Sequence, residues 1–506
     1  MRPEALQRGR PGGMSATVPR QDSPVPTMTD TTFYWHDYES FGAEPRRDRP
    51  AQFAGQRTTL DLEPVGDPLV IYCQPVTDLL PHPEACLITG ITPQQAQAEG
   101  MPEPQFIARI VEELGRPGTC GVGYNSLRFD DELTRHTLWR NFHDPYAREW
   151  RDGCSRWDLI DAVRLVYALR PEDIVWPSRD NGAPSFRLEH LAEANGLVKT
   201  RAHDALSDVH TTIALARLLK TRKPKLLDYV FTHRDKRSAR ALLDPDAPQM
   251  VLHVSQRFPA ATGCISPVLP IAVHPTNNNA VICFDLRHDP ADLLQLPPDE
   301  LFDRLFTPVE DLPEDVQRLP LKGVKLNHCP VLAPVSTLKG VDLQRLALDM
   351  TRCEAHAQTL MQHMDAVRET VTELFSAQDF APSADPEQGL YDGFVGDGDR
   401  RRCEEIRQLD GEGLRAIGTP FADERLNALL QRYRARHFPD SLSEEEAQAW
   451  AQWRENRLLF APDGGLTLDD YDQLIQALRV QRTDDASQSV LDTLAEWGDQ
   501  LRQSGR

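Results

Sequence analysis

Two acidic residues stand two positions apart inside a strongly apolar stretch, FYWHDYESFG (residues 33–42). On an extended strand, residues two apart point to the same face, so Asp37 and Glu39 lie side by side. Like charges repel there, and the apolar and aromatic neighbours argue against a solvated face. Hard divalent cations, which carboxylate oxygens suit, would offset that repulsion. The stretch is also the first of three short strand-like runs, TTFYWHDYES, QFAGQRTTLD and DPLVIYCQP, separated by turn-forming Gly, Pro and Asp. They read as an opening β-meander. Helical patterns follow around Phe106 to Leu114, Phe129 to Phe142, Trp157 to Leu169, Phe186 to Leu197 and Asp204 to Lys220, with the short apolar run TCGVGYN among them. Strands followed by alternating helices indicate an α/β layer fold.

Asp-x-Glu alone is weak evidence in a chain with 77 acidic residues. Two further elements strengthen it. In YNSLRFDDE, Asp130 follows an apolar run and sits near the start of a helix; in HDALSD, His203 precedes Asp208 by five residues at the start of another. Along that second helix Leu206, Val209, Ile213 and Ala216 recur at helical spacing, which leaves Asp204, Asp208 and Thr212 on other faces. Taken singly, Asp130 reads as a helix N-cap and His203 as a helix-start or core histidine. Jointly, Asp37, Glu39, Asp130 and Asp208 supply the carboxylates that phosphodiester hydrolysis requires to hold two cations ~3.5–4 Å apart. Asp131 and Asp204 compete for the same roles as their neighbours. His203, titrating near neutrality, can accept a proton from the attacking water if the fold brings it close.

Further along, TRKPK (residues 221–225) reads as a linker, and VLHVS, PVLPIAVHP, AVICFDL and LKGVKLNHCPVLAP as a second, mainly β unit reaching about residue 335. Helical pattern resumes near Val341. The polar stretch AQDFAPSADPEQG (377–389) precedes a final helical segment containing LNALLQRYRARHF and LDDYDQLIQALRV. Residues 1–30, rich in Pro, Gly, Arg and Ser, read as a disordered leader in which Met14 and Met28 offer alternative starts. The 506-residue length is enough for two to four compact units.

A net charge of −21 opposes a polyanionic partner at first sight. From Ser376 onward, however, 26 Asp and Glu face 15 Arg and no Lys, so about half of the excess lies in the last quarter. Basic clusters at Arg46, Arg47 and Arg49, and at Lys220, Arg222, Lys223 and Lys225, could still line a groove, although such runs are more often solvated surface. Nine scattered cysteines without a CxxC pair argue against a disulfide framework and structural zinc, and fit a reducing cytoplasm. No apolar run approaches the ~18 residues of a membrane span.

These motifs resemble the histidine subclass of the DEDD exonuclease superfamily: Asp-x-Glu in HDYESFG, Asn-x-x-x-Phe-Asp in YNSLRFDD and His-x-x-x-x-Asp in HDALSD. The closer resemblance is to the exodeoxyribonuclease I family. It is carried by RPAQFAGQRT, LITGITPQQA, SRWDLIDAVR, ALRPEDI, PSFRLEHLAEANG and DYVFTHR, and far downstream by LYDGF and YRARHFP. The resemblance implies a ribonuclease-H-like α/β exonuclease domain (31–222), an SH3-like β-rich domain (223–376) and a C-terminal all-helical domain (377–506). Together these would form a clamp around single-stranded DNA. It further implies a monomer that degrades such DNA from 3′ to 5′ in repair and recombination, with two Mg²⁺ ions that Mn²⁺ can replace. Asp37, Glu39, Asp130 and Asp208 then become metal ligands, with Glu39 also touching substrate, and His203 the general base.

By the same resemblance Arg187 is a substrate-binding arginine near the terminal nucleotide. Phe186, Trp157 and Tyr124 are candidates for stacking on bases, with core packing the competing role. The family also implies docking of the acidic tail of single-stranded DNA-binding protein. Tyr229 and Lys339 match parts of that region, but the basic residue expected near PQMVLHVS is missing and an expected arginine falls on Met361. Two other readings stand beside this one. The first is an RNA-trimming or proofreading DEDD enzyme, which the long matching region after residue 222 disfavours; the second is a noncatalytic nucleic-acid-binding protein, which the full carboxylate set disfavours.

Overall fold

The computed structural model describes residues 31–197, 204–377 and 381–503. Its first sheet comprises β1 (Thr32–Ser40), β2 (Pro50–Thr58), β3 (Leu69–Tyr72), β4 (Thr119–Gly123) and β5 (Ser155–Asp158), in the order β3-β2-β1-β4-β5. β1, β2 and β3 form the antiparallel meander, and β4 and β5 add in parallel on the other side of β1. Helices cover both faces, which is why β1 and β2 carry apolar residues on both sides. Phe33 and Trp35 join a core with Val163 and Leu165 of the helix Leu159–Leu169 and with Val209 and Ile213 of the helix Ala205–Arg222. Tyr34 and Tyr38, on the opposite face, pack with Phe106, Ile107 and Leu133 from the helices Glu103–Leu114 and Asp130–Arg140. By the period of two, Asp37 and Glu39 therefore point toward the helix Ala205–Arg222.

Two expectations need correction. Trp157 and Asp158 end strand β5 rather than begin a helix, which starts at Leu159 with Asp158 as its cap. A four-residue strand shows no readable alternation, and its pairing with β4 is a tertiary fact. TRKPK is likewise no extended linker. The helix runs to Arg222, Lys223 turns the chain, and Pro224 opens the next helix, Pro224–Thr232. Proline ends one helix for want of an N–H, yet suits the first position of another.

The second sheet, β6 (Val251–Val254), β7 (Ile265–Val273), β8 (Ala280–Asp285), β9 (Leu321–Lys325) and β10 (Leu332–Pro334), is antiparallel throughout in the order β10-β6-β7-β8-β9. The helix Met350–Gln362, capped by Asp349, and the helix Met364–Ser376 pack on it. The final segment is helical. Its residues share one core with Phe41, Leu80 and Ile91 and another with Trp139 and Phe142, so it is seated on the first domain at two places.

Between those places lies a buried ionic network. Asp78 pairs with Arg436 at 2.7 Å and Arg457 at 2.5 Å, while Glu387 pairs with Arg436 at 2.6 Å and with Arg49. Burial alone would raise both carboxyls, but the surrounding arginines hold them below the usual carboxylate range. All nine cysteines are free, and no helix among the described residues is long and apolar enough to cross a membrane.

Candidate active site

Asp37 and Glu39 from β1, and Asp208 from the first turn of the helix Ala205–Arg222, each offer a carboxylate oxygen within 4.8 Å of the others. Asp37 and Asp208 are half-buried. The helix is set in place by its apolar stripe against Phe33 and Trp35 and by Asp204, whose side chain accepts from Ser207 N at 3.3 Å. Asp130 approaches from the other face of β1. It is the first residue of its helix, Phe129 holds the cap position, and the Asp130 carboxylate accepts from Tyr38 N at 3.1 Å. That bond crosses to the residue between Asp37 and Glu39, so Asp130 does not cap its own helix. The loop leading to it is fixed by Asp158, which accepts from Asn125 N at 2.8 Å and Leu127 N at 3.2 Å. Asn125 has φ 61, a left-handed conformation that asparagine tolerates better than most residues.

Burial raises the Asp37 carboxyl well above its usual range, and the charges of Asp130, Glu39 and Asp208 add to the effect. Burial and then Asp208 and Asp130 push Glu39 up to about 8; burial, opposed by backbone N–H donors, takes Asp130 to about 7. Such a cluster is suited to divalent cations, whose charge would relieve the repulsion. The competing acids have other partners. Asp131 pairs with Arg148 at 2.5 Å and Arg156 at 2.8 Å, and Asp204 is the helix cap described above.

A pH dependence follows. A carboxyl whose folded pKa is raised favours the folded state while it keeps its proton, and that contribution is lost as pH rises from about 4 through the folded values near 7 and 8. In chelator, then, this cluster should lower the melting temperature progressively between pH 5 and about 8.5. Added Mg²⁺ or Mn²⁺ should raise the melting temperature more at pH 8 than at pH 6, because the cations then compete with fewer protons. A thermal-shift series in which the metal effect is independent of pH would contradict this account of the cluster.

His203 lies outside the described residues. Arg187 is exposed at the start of the helix Leu188–Ala194. Tyr124 is half-buried and donates its hydroxyl to the Phe186 carbonyl at 2.6 Å. Trp157 is only 3% exposed, its ring against Phe33 and Phe231, so this position offers core packing rather than a face for a base. Phe186 is 4% exposed, packed against Tyr167 and Trp176, and it borders a cleft of about 450 Å³. Arg164, Arg179, Arg257 and Phe258 also line this cleft between the first two domains, and no local sequence pattern singled them out. The basic clusters are largely engaged elsewhere: Arg47 with Asp48, Arg49 with Glu387, Lys220 with Asp61, and Lys223 with Glu172 and Asp173. Tyr229 donates to Leu332 O at 3.1 Å and stacks on His233.

Three family models match in chain order: Exonuclease over residues 34–216, Exonuclease I SH3-like domain over 234–377, and Exonuclease I C-terminal domain over 384–501. Exodeoxyribonuclease I of Escherichia coli strain K12 is 46% identical over 462 residues, covering 91% of this chain and 96% of that protein. The chain belongs to the exodeoxyribonuclease I family. Among solved structures of the exodeoxyribonuclease I family, E. coli Exonuclease I in complex with a dA16 oligonucleotide aligns with a TM-score of 0.88 at 45% identity, over 93% of this chain and 100% of that one. A structure of SSB/Exonuclease I in complex with the inhibitor CFAM aligns with a TM-score of 0.85 at 43% identity, over 93% and 99%. As a member of the exodeoxyribonuclease I family, the chain is a 3′-to-5′ exodeoxyribonuclease, and its three domains follow the family order of exonuclease, SH3-like and helical C-terminal units.

Proposed function

We propose that this chain shortens single-stranded DNA from its 3′ end by metal-dependent hydrolysis, releasing nucleoside 5′-monophosphates. The observation that carries the reading is the convergence of Asp37, Glu39 and Asp208, with Asp130 tied to the backbone between the first two. The E. coli relative bound to a dA16 oligonucleotide supports the substrate. Asp37, Glu39, Asp208 and Asp130 would hold two Mg²⁺ ions, replaceable by Mn²⁺, which supply water activation and stabilise charge on the leaving 3′ oxygen. The Asp130 bond to Tyr38 N holds β1 so that Asp37 and Glu39 project together. His203, assigned by resemblance to the family's His-x-x-x-x-Asp motif, takes a proton from water as the water oxygen bonds to phosphorus. The P–O3′ bond breaks, its electron pair stays on O3′, and that oxygen takes up a proton to leave a 3′-hydroxyl on the shortened strand. Arg187 is assigned to the terminal phosphate, which a guanidinium can grip with two parallel hydrogen bonds.

For a protein partner we assign the acidic, apolar C-terminal tail of single-stranded DNA-binding protein. The SSB/Exonuclease I relative and the matches at Tyr229 and Lys339 support it. The test of function is product analysis on end-labelled single-stranded DNA, duplex DNA and single-stranded RNA. Mononucleotides from the single-stranded DNA, well ahead of the other two, are expected. Preferential trimming of RNA would move the chain to a different substrate class, and binding without cleavage would refute the enzymatic reading.

A further inference from the structure

We propose that Arg156 is a positioning residue for the catalytic carboxylates, through which the loop between β9 and β10 of the SH3-like domain holds the start of the helix Asp130–Arg140. The inference rests on the metal-dependent reading above. Arg156 lies on β5, the edge strand of the first sheet, and is buried. An open sheet edge is usually covered, and here the second domain covers it. One guanidinium nitrogen donates to Asp131 Oδ2 at 2.8 Å, and another to the Asn327 carbonyl at 2.8 Å. The Arg156 carbonyl in turn accepts from Cys329 Sγ at 3.1 Å. The loop thus holds this one residue by both its side chain and its backbone.

Asp131 passes that restraint on. Its second oxygen accepts from Arg148 at 2.5 Å, so both carboxylate oxygens are engaged and the side chain cannot rotate freely. Its backbone N–H donates to Ser126 O at 2.9 Å. Asp130 and Asp131 are the first two residues of one helix. Asp131 anchors the helix start toward β5 and the SH3-like domain, while Asp130 reaches the other way to Tyr38 N, between Asp37 and Glu39. A displacement of about 1 Å at this point would move Asp130 relative to its partners, and misplacement of that size can cost about 10²-fold in rate.

The experiment compares full-length Arg156→Gln and Arg156→Lys with the unaltered chain. Direct Mn²⁺ binding is measured without DNA, and kcat and KM are measured on single-stranded DNA. Lysine can still pair with Asp131 but cannot also bridge to Asn327 as the planar guanidinium does. Arg156→Gln is expected to weaken Mn²⁺ binding about tenfold and to lower kcat by about 10- to 10²-fold with little change in KM, and Arg156→Lys to recover part of both. Unaltered Mn²⁺ affinity and kcat in Arg156→Gln would overturn the inference while leaving the functional reading intact. So would a loss confined to KM. If Arg156→Gln does not fold, Arg156→Lys decides by the same two readouts. Failure of the unaltered chain to bind Mn²⁺ would instead overturn the functional reading itself.

Discussion

Changing Asp208 to Asn will abolish metal-dependent shortening of single-stranded DNA while leaving the protein folded. The substitution is nearly isosteric, so the helix Ala205–Arg222 keeps its cap at Asp204 and its packing through Val209 and Ile213. What is lost is one of the three carboxylates that converge within 4.8 Å. Metal-assisted stabilisation of transition-state charge is worth several kcal/mol, which corresponds to a loss of about 10³-fold or more. Asp208 also adds to the repulsion that raises Asp37 and Glu39, so the variant in chelator should melt no lower than the original. His203→Ala belongs to the same experiment. A positioned general base contributes about 10²- to 10⁴-fold, and unchanged single-turnover rates would remove His203 from that role. An Asp208→Asn protein within tenfold of full activity would refute the metal-ligand assignment.

The second large effect is on stability. Asp78 is fully buried and receives Arg436 and Arg457 from the helices Glu424–His437 and Glu444–Phe460. Asp78→Ala removes their shared anion and leaves two buried guanidinium groups with Glu387 and Asp463 as their remaining acidic partners. Breaking a buried ion pair from one side costs about 3–5 kcal/mol. Urea unfolding followed by the fluorescence of Trp450 and Trp453 should therefore show a midpoint well below that of the unaltered chain; an unchanged midpoint would contradict the role given to this network. The network also has a pH signature opposite in sign to that of the active site. Asp78 and Glu387 have lowered pKa values, so their stabilisation is present above the unfolded value near 4 and is lost as pH falls below it.

The parts of this site legible in the sequence were those governed by local periodicity. The period of two placed Asp37 and Glu39 on one face of β1, and helical spacing set Val209, Ile213 and Ala216 in the core with Asp208 off that stripe. Period says nothing about partners far away in the chain. Arg156 and Asn327 are 171 residues apart, and Asp78 and Arg457 are 379 apart, so neither contact leaves a local signal. Net charge was silent for the same reason. The acidic last quarter contributes Arg432, Arg436 and Arg457 to buried pairs with Asp385, Glu387 and Asp78, an arrangement invisible to a sum. Aromatic identity was equally silent about orientation. Trp157 and Phe186 neighbour the motifs, yet their rings are buried because β5 and the residues before the helix Leu188–Ala194 turn them inward.

In the proposed function, four carboxylates on β1 and two helix starts make a metal-dependent 3′ exonuclease. Its most direct test is single-turnover release from a 3′-end-labelled single-stranded oligonucleotide, in Mg²⁺, in chelator, and in chelator followed by excess Mg²⁺. Release of the labelled terminal 5′-mononucleotide is expected in Mg²⁺, none in chelator, and recovery when the metal is restored. Release that persists in chelator, or degradation that begins at the 5′ end, would contradict it.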